Sequence, residues 1–269
     1  MPSLIKVRVK ALEDLIYSIP MSGRYAQRFV LDSLGQMADV VRQLSANGTP
    51  PYSVGQILAP KESLSEDPRY ASLKQGEEAL FFIGVCWDEL KELMLKEVKG
   101  VRELAGARVE LTPELIREEG YGDLLNGIAR KISLKTRNRL ILGSIKVFDH
   151  VFPRYDPWRH YLNPQHIFAT PFNVWNAFSL IKFPKSVFNA LSRVEVLKVR
   201  LRTRMALIPY GGKLEKTPSL EGEVHLSLGG LDADTGVKAL ALLKLAEYSG
   251  IGVKTTQGFG SVSLKILEG

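Results

Sequence analysis

The stretch that decides the fold lies near the C-terminus and reads Gly250-Ile251-Gly252-Val253-Lys254-Thr255-Thr256-Gln257-Gly258-Phe259-Gly260. It holds four glycines, one lysine and no acidic residue. Glycine tolerates positive φ and lets a ligand come close to the backbone, so this glycine loop can offer its N–H groups to an anion. The other interpretation is a tight turn whose glycines serve only the backbone.

The order of elements around the glycine loop limits what it can bind. The preceding residues 234–249 predict a helix, with Asp234 or Thr235 as its N-cap, and residues 261–266 predict a strand. Phosphate-binding loops of nucleotide and dinucleotide sites run the other way, with the strand first and the helix second. The order therefore argues against ATP or NAD, and we expect no cofactor.

Working outward, the chain predicts the element order β-α-β-β-α-β twice. The expected fold is α+β, with two tandem ferredoxin-like domains over residues 1–127 and 128–269. The predicted strands are 4–11, 52–58, 79–86, 107–111, 132–141, 194–208, 222–228 and 261–266. The predicted helices are 24–44, 88–99, 173–191 with an interruption at Pro184, and 234–249. We expect loops or irregular structure at 59–77, 149–170 and 209–218, and a link between the domains at 112–127.

Composition sets the broad class. The 269 residues are 45% hydrophobic, which is enough to build real cores, and no apolar run is long enough to span a membrane. Cys86 is the single cysteine and lies in an apolar run, so it predicts a buried thiol and rules out a disulfide framework. We therefore expect a cytoplasmic protein with no membrane partner.

Positive charge is concentrated in one region of the sequence. Residues 128–216 contain 17 Lys and Arg against 4 Asp and Glu, a net charge of 17 − 4 = +13. The remaining residues carry 36 − 17 = 19 basic against 29 − 4 = 25 acidic residues, a net charge of −6. Such asymmetry indicates an anionic partner on one part of the surface, and a merely solvated basic face is the alternative.

Basic residues also follow strand periodicity. Alternation within 194–208 places four cations on one face and Val199, Leu201 and Met205 on the other. Those cations are Lys198, Arg200, Arg202 and Arg204. A second predicted strand carries Lys135, Arg137 and Arg139 on one face. Aligned cations repel unless something anionic lies over them, so we expect both sets to bind RNA phosphates.

The C-terminal tail carries a family resemblance. It contains Leu240-Ala241-Leu242-Leu243-Lys244-Leu245-Ala246-Glu247-Tyr248-Ser249-Gly250-Ile251-Gly252, followed by Lys254-Thr255-Thr256-Gln257-Gly258-Phe259-Gly260-Ser261-Val262. These runs resemble the C-terminal signature of the CRISPR-associated endoribonuclease family six, part of the RAMP superfamily. The run Leu220-Glu221-Gly222-Glu223-Val224-His225-Leu226 resembles the strand before that family's last helix.

The resemblance implies an activity. Members of the family cut the repeat in precursor CRISPR RNA without a metal: the 2′-hydroxyl attacks the adjacent phosphate and leaves a 2′,3′-cyclic phosphate and a 5′-hydroxyl. It also implies that the glycine loop contacts RNA, through Gly250, Gly252, Lys254, Thr255, Thr256, Gln257, Gly258 and Gly260. CRISPR repeat RNA is the expected partner. Subunits of a CRISPR effector complex and a second copy of the chain are further partners left open.

The catalytic residues depart from the family pattern. Many members have a histidine just after the first helix, where this chain reads Gln43-Leu44-Ser45-Ala46-Asn47-Gly48-Thr49-Pro50. Some members use basic residues of the first helix instead, and Arg24, Tyr25 and Arg28 occupy that place as catalytic candidates. Because arginine stays protonated, orientation and charge stabilisation would carry most of the rate.

The four histidines are His150, His160, His166 and His225. His160 and His166 lie in an aromatic segment, where packing is the expected role and catalysis the alternative, and no ligand spacing predicts a metal site. His225 shares a strand face with Glu223 and is expected to be structural. The competing function is a non-catalytic RNA-binding RAMP subunit of a CRISPR effector complex, which the missing histidine favours. A small-molecule enzyme on the same fold is disfavoured by the basic strand.

Overall fold

The computed structural model describes residues 1–60, 63, 69–148, 150–155, 162–210 and 213–269. Two main antiparallel sheets organise these residues, one in each half of the sequence. Both follow the predicted element order, so the tandem ferredoxin-like fold is confirmed.

The first half is built around a five-stranded sheet. Its strands are β1 (Ser3–Ala11), β2 (Leu15–Ser18), β3 (Tyr52–Val54), β4 (Tyr70–Leu73), β5 (Glu78–Val85), β6 (Gly100–Leu104) and β7 (Ala107–Glu118). Its helices are α1 (Ser22–Ser33), α2 (Met37–Ala46) and α3 (Asp88–Glu97). The strand order is β3-β5-β1-β7-β6, in which β6 extends the ferredoxin-like four by a hairpin. Alternating residues of β1, namely Ile5, Val7 and Val9, are fully buried in the core.

The second half has a four-stranded sheet in the order β11-β12-β8-β13. Its strands are β8 (Lys131–Thr136), β9 (Ile145–Val147), β10 (His150–Phe152), β11 (Glu195–Tyr210), β12 (Lys213–Ser227) and β13 (Val262–Glu268). Its helices are α4 (Tyr121–Leu124), α5 (Pro164–Phe178), α6 (Lys185–Ala190) and α7 (Ala233–Ser249). Strands β9 and β10 form a separate two-stranded ribbon. The order helix, glycine loop, strand at the end of the chain is as predicted.

The single helix predicted over 24–44 is wrong. It is two helices that separate at Gly35, whose φ is +53°. Leu34 and Val41 are buried as their spacing predicts, but the apolar period continues across the break and conceals it. Glycine in a left-handed conformation after a helix is a common way to end it.

Several strand bounds also differ from the predictions. Strands β2 and β4 pair with each other, so part of the expected loop 59–77 is a strand. The predicted link 112–127 is wrong in its first half, because β7 continues to Glu118 and pairs with β1. Strand β8 ends at Thr136 rather than 141, and the predicted loop 209–218 is largely the paired end of the β11–β12 hairpin.

The helices of the second half begin elsewhere than predicted. Helix α5 starts at Pro164, inside the segment expected to be irregular, and contains Pro171. Pro184 is the N-cap residue of α6, so the predicted interruption of the helix over 173–191 at Pro184 is confirmed. The N-cap of α7 is Asp232, whose side chain accepts a hydrogen bond from the backbone N–H of Thr235. Asp232 precedes both predicted caps and makes the same kind of bond.

Candidate functional site

The glycine loop needs its glycines. Gly250, Gly252, Gly258 and Gly260 have φ between +73° and +88°. A Cβ added at Gly252 would lie 2.2 Å from the carbonyl oxygen of Ile141, and one at Gly260 would lie 2.3 Å from that of Ile251. Positive φ and close backbone contact therefore both exclude a side chain at these places.

Several N–H groups of the glycine loop already donate hydrogen bonds within the chain. Ile251 donates to Gly260 O at 2.9 Å, and Val253 donates to Ile141 O at 2.8 Å. Among the described residues the N–H groups of Lys254, Thr255 and Thr256 donate no hydrogen bond, and they open the 3₁₀ turn Thr255–Gln257. About half of the loop's N–H groups thus donate within the chain, and those at the start of the 3₁₀ turn are among the ones left for an anion.

The glycine loop packs against the start of α1, which joins the two halves of the chain. A Cβ at Gly23 would lie 2.4 Å from the Cα of Gly258, so the two backbones touch there. Gln27 Nε2 donates a hydrogen bond to Thr256 Oγ1 at 3.2 Å. The helix with the catalytic candidates and the loop predicted to bind RNA therefore lie side by side.

The three catalytic candidates line one cavity. Arg24, Tyr25 and Arg28 border a space of about 340 Å³ on α1, called the α1 cavity, together with Gln27 and Arg42. Arg28 Nε lies 3.3 Å from Asp32 Oδ2 one turn along the helix, and both side chains are largely exposed. The structure thus brings the candidates together at the surface.

Arg42 and Gln27 were not expected at the site. Arg42 lies on α2, and its NH1 contacts Asp39 Oδ1 at 2.8 Å. The break at Gly35 lets α2 lie beside α1, whereas one continuous helix would carry Arg42 away from Arg28. Nearby, burial raises the pKa of the Tyr52 hydroxyl, and a hydrogen bond from Gln27 opposes that shift. The glycine at 35 was the signal that could have located Arg42.

Three cavities adjoin one another along this junction. The α1 cavity shares Gln27, Leu31 and Arg42 with a middle cavity of about 240 Å³ that also meets Tyr52 and Gln257. The middle cavity shares Ser45, Ala46, Lys254 and Thr256 with a third cavity of about 480 Å³. We call the third space the lysine cavity, defined by Asn47, Ser144, Lys146, Val151, Val253 and Lys254. We call the three adjoining cavities together the trough.

The cations of β11 lie where alternation predicts, but carboxylates accompany them. Lys198, Arg200, Arg202 and Arg204 are exposed. Arg200 pairs in register with Glu223, and Arg202 with Glu221, so these side chains share one face. A hydrogen bond from Ser133, then His225 and Arg200, lower the pKa of Glu223. The expectation that only an outside anion could balance this face is therefore wrong, because β12 provides part of the balance.

The opposite face of β11 is more open than predicted. Val199 is 50% exposed and Met205 is 46% exposed, because β11 is the edge strand of its sheet. Farther along β11, on the face that carries Arg204, Ala206 and Ile208 are buried in a small cluster with Phe259 of the glycine loop. That face of the strand therefore ends next to the loop.

Lys135, Arg137 and Arg139 do not share a strand face. Lys135 lies on β8 opposite Glu223, but the strand ends before the two arginines. Arg137 NH2 lies 3.5 Å from Glu247 Oε1 of α7, and Arg139 NH1 donates to Met205 O at 3.5 Å. The alternation of side chains along β8 ends with the strand at Thr136, so the predicted grouping of the three cations on one strand face is wrong.

The described histidine side chains have packing contacts. His166 is buried, and its Nε2 lies 2.9 Å from Pro153 O. His225 Nε2 lies 3.1 Å from Glu223 Oε1, as expected for a structural residue. His160 lies outside the described residues, and so does the side chain of His150.

Other expectations concern metals, membranes and the thiol. Within the described residues, His, Cys, Asp and Glu form no group of three or more that could hold a metal ion. In the same part of the chain, no helix is long and apolar enough to cross a membrane. Cys86 is a buried free thiol, as predicted, and burial raises its pKa.

Comparison with known proteins tests the family resemblance. A model of the family CRISPR-associated endoribonuclease Cas6 matches residues 148–262. The predicted resemblance to Cas6 is confirmed. The match includes β11, β12, α7 and the glycine loop, which are the elements that carry the basic face and the loop. No curated protein matches the chain at a significant level.

Solved Cas6 structures share the fold. A Cas6 product complex is 18% identical, with a TM-score of 0.66 over 97% of this chain and 99% of that chain. Thermus thermophilus Cas6 is 16% identical, with a TM-score of 0.62 over 98% of each chain. A RAMP protein described as binding different RNA substrates is 12% identical, with a TM-score of 0.64 over 98% of this chain and 99% of that chain. At these identities the likeness shows the fold.

Proposed function

We propose that this chain binds the repeat of precursor CRISPR RNA and cuts it by metal-independent transesterification. One observation carries the proposal: the Gln27–Thr256 hydrogen bond and the Gly23–Gly258 contact hold the start of α1 against the glycine loop. The catalytic candidates and the glycine-loop residues Lys254, Thr256 and Gln257 thereby border adjoining cavities of one trough. The Cas6 family match supports the choice of RNA and of reaction.

The trough suits a reaction driven by positioning and charge. In transesterification the 2′-oxygen bonds to phosphorus, the 5′-oxygen leaves, and negative charge grows on the other phosphate oxygens. Arg24 and Arg28 are placed to stabilise that charge, and the start of α1 favours an anion through its helix dipole. Lys254 lies at the other wall of the middle cavity. Tyr25 is the candidate for contact with a reacting oxygen.

The test uses the pure protein and its labelled repeat RNA. We expect cleavage in EDTA, with a 2′,3′-cyclic phosphate and a 5′-hydroxyl at the cut. A single 2′-deoxy substitution before the scissile phosphate should block cleavage and leave binding intact, because only the nucleophile is removed. Cleavage of the deoxy RNA, or cleavage that needs added Mg²⁺, would contradict this mechanism.

A non-catalytic RNA-binding subunit of a CRISPR effector complex is the second candidate. It is favoured because residues 43–50, at the end of α2 and just beyond it, contain no histidine. These residues contribute to the middle and lysine cavities through Ser45 and Asn47. Tight binding of the repeat without any cleavage would support this candidate and reject the nuclease.

A further inference from the structure

The lysine cavity differs chemically from the rest of the trough. Its volume of about 480 Å³ exceeds those of the other two cavities of the trough, and its lining contains two lysines and no acidic residue. Within the described residues, neither Lys146 nor Lys254 has a carboxylate partner. By contrast, Arg28 and Arg42 in the α1 cavity each pair with an aspartate of their own helix. Uncompensated positive charge in a cavity suits an anionic ligand.

One wall of the cavity is apolar. Val151 lies opposite Lys146 in the β9–β10 register, so both side chains are on the same face of the ribbon. Val151 is 56% exposed, and Val253 and the buried Pro50 continue the apolar surface. A phosphate group gains no stabilisation from contact with an apolar wall. An unpaired nucleobase does, because its apolar face is otherwise exposed to water and can pack against such a wall.

Hydrogen-bonding groups complete the cavity. Asn47 and Ser144 border it with exposed side chains that make no hydrogen bond within the described residues. An amide has both donors and an acceptor, so Asn47 can pair with the edge of a base. Asn173 connects the ribbon to the turn after α2 by donating to Lys146 O at 2.8 Å and to Gly48 O at 3.4 Å. The walls are thereby held at a set separation.

We propose that the lysine cavity holds one unpaired nucleotide of the bound RNA, across the middle cavity from the phosphate at the α1 cavity. Its phosphate meets Lys146 and Lys254, its base covers Val151 and Val253, and Asn47 contacts the base edge. The shared residues between the cavities give the RNA strand a path from α1 to this subsite. The proposal rests on the proposed function, since it assumes that RNA occupies the trough.

The test is a double-mutant cycle between protein and RNA. The RNA is the repeat with a 2′-deoxy residue at the cut, which prevents cleavage, and with single abasic residues placed in turn on either side of it. Affinity is measured by fluorescence anisotropy for the wild type, Asn47→Ala, Lys146→Ala and the control Lys96→Ala. Lys96 is an exposed lysine on α3 outside the trough, paired with Glu97.

We expect one abasic position to weaken wild-type binding by about tenfold, in line with the loss of one stacked base. Asn47→Ala should weaken binding of the intact RNA and leave that abasic RNA almost unchanged. Lys146→Ala should lower the salt slope by about 0.7, as for one phosphate of a single strand, while Lys96→Ala should not. Strictly additive effects at every abasic position, or equal behaviour of the two lysine variants, would overturn the subsite.

The outcomes separate the two proposals. If the wild type binds the deoxy RNA with the expected coupling but does not cut all-ribose repeat, cleavage is wrong and the subsite stands. If the repeat is cut and no coupling appears, only the subsite is wrong. If no repeat RNA binds, both are wrong.

Discussion

The β11 face and the trough are both rich in cations, but they differ in what surrounds those cations. On β11, Arg200 and Arg202 lie opposite Glu223 and Glu221 of the neighbouring strand. In the trough, Lys146 and Lys254 line a cavity that contains no acidic residue. The lysine cavity has fewer basic residues than the β11 face, but no carboxylate lines it to offset their charge. A count of cations along one strand therefore does not measure the charge available to RNA.

The two regions also differ in what shapes them. The β11 cations stand on an edge strand and are exposed. The trough depends on backbone contact between α1 and the glycine loop, where Gly23 meets Gly258. We therefore expect small backbone changes to damage the trough severely, and charge changes on β11 to have graded, salt-dependent effects.

The largest effect is expected from Gly258→Val. Gly258 has φ +88°, and a Cβ there would lie 2.5 Å from the Cα of Gly23, so both strain and overlap oppose the substitution. Affinity for repeat RNA should fall by about 100-fold or more, since the strained backbone costs about 1–3 kcal/mol before any overlap is relieved. Binding is measured by anisotropy and the fold by circular dichroism. Gly236→Ala is the control, because that helix position has open space around it. A folded Gly258→Val protein with full affinity would make the loop a plain turn.

The next prediction distinguishes a loss of cleavage rate from a loss of RNA affinity. Arg28→Ala should slow single-turnover cleavage by about 10²-fold if its guanidinium stabilises developing charge. The dissociation constant should change far less, because other trough cations still hold the RNA. Asp32→Ala is the matched control, since it removes the partner of Arg28 and keeps the guanidinium. Equal losses of rate and affinity would make Arg28 a binding residue only.

Gly23→Ala isolates the contact between α1 and the loop. Gly23 lies inside α1 without positive φ, so alanine should favour the helix by up to about 1 kcal/mol. The added Cβ would nevertheless lie 2.4 Å from Gly258 Cα and must push the loop away. We expect cleavage to fall about tenfold as the trough widens. Thermal unfolding checks that the protein remains folded, and a folded variant with wild-type cleavage would show that this contact does not set the site.

Much of the fold could be predicted from local patterns. The alternation of β1, the helix before the glycine loop and the strand after it all depend on residues that are neighbours in sequence. The missed features depend on distant partners: β2 and β4 stabilise each other, and β7 continues to Glu118 because β1 lies beside it. Neither segment shows its pairing in its own sequence.

The site divides in the same way. Arg24, Tyr25 and Arg28 could be located because they lie at the start of the first helix, where the family resemblance places catalytic residues, and they do line one cavity. Arg42 was missed although Gly35 marks the helix break, and Lys146 could not be located because the β9–β10 ribbon brings it to the trough from elsewhere in the chain. The grouping of Lys135 with Arg137 failed since strand alternation ends where the strand does.

The smallest expected effect concerns the β11 face. It tests whether the carboxylates beside the arginines reduce the contribution of this face to RNA binding. Arg200→Ala with Arg202→Ala should weaken repeat RNA binding only a few-fold at moderate salt. Glu221 and Glu223 already offset part of their charge. The salt slope should fall by less than the value of about one unit expected for each complete phosphate contact. Anisotropy titrations at two or more salt concentrations give both quantities.

The reciprocal change is the sharper half of this test. Glu221→Gln with Glu223→Gln keeps the size of both side chains and removes two negative charges from the same face. If RNA lies over β11, affinity should rise and the salt slope should steepen, because the arginines would then face phosphate alone. A protein with all four substitutions should bind RNA with close to the wild-type affinity only if the two arginines and the two glutamates act on the same ligand. Affinity that is unchanged in both double variants would remove β11 from the RNA surface.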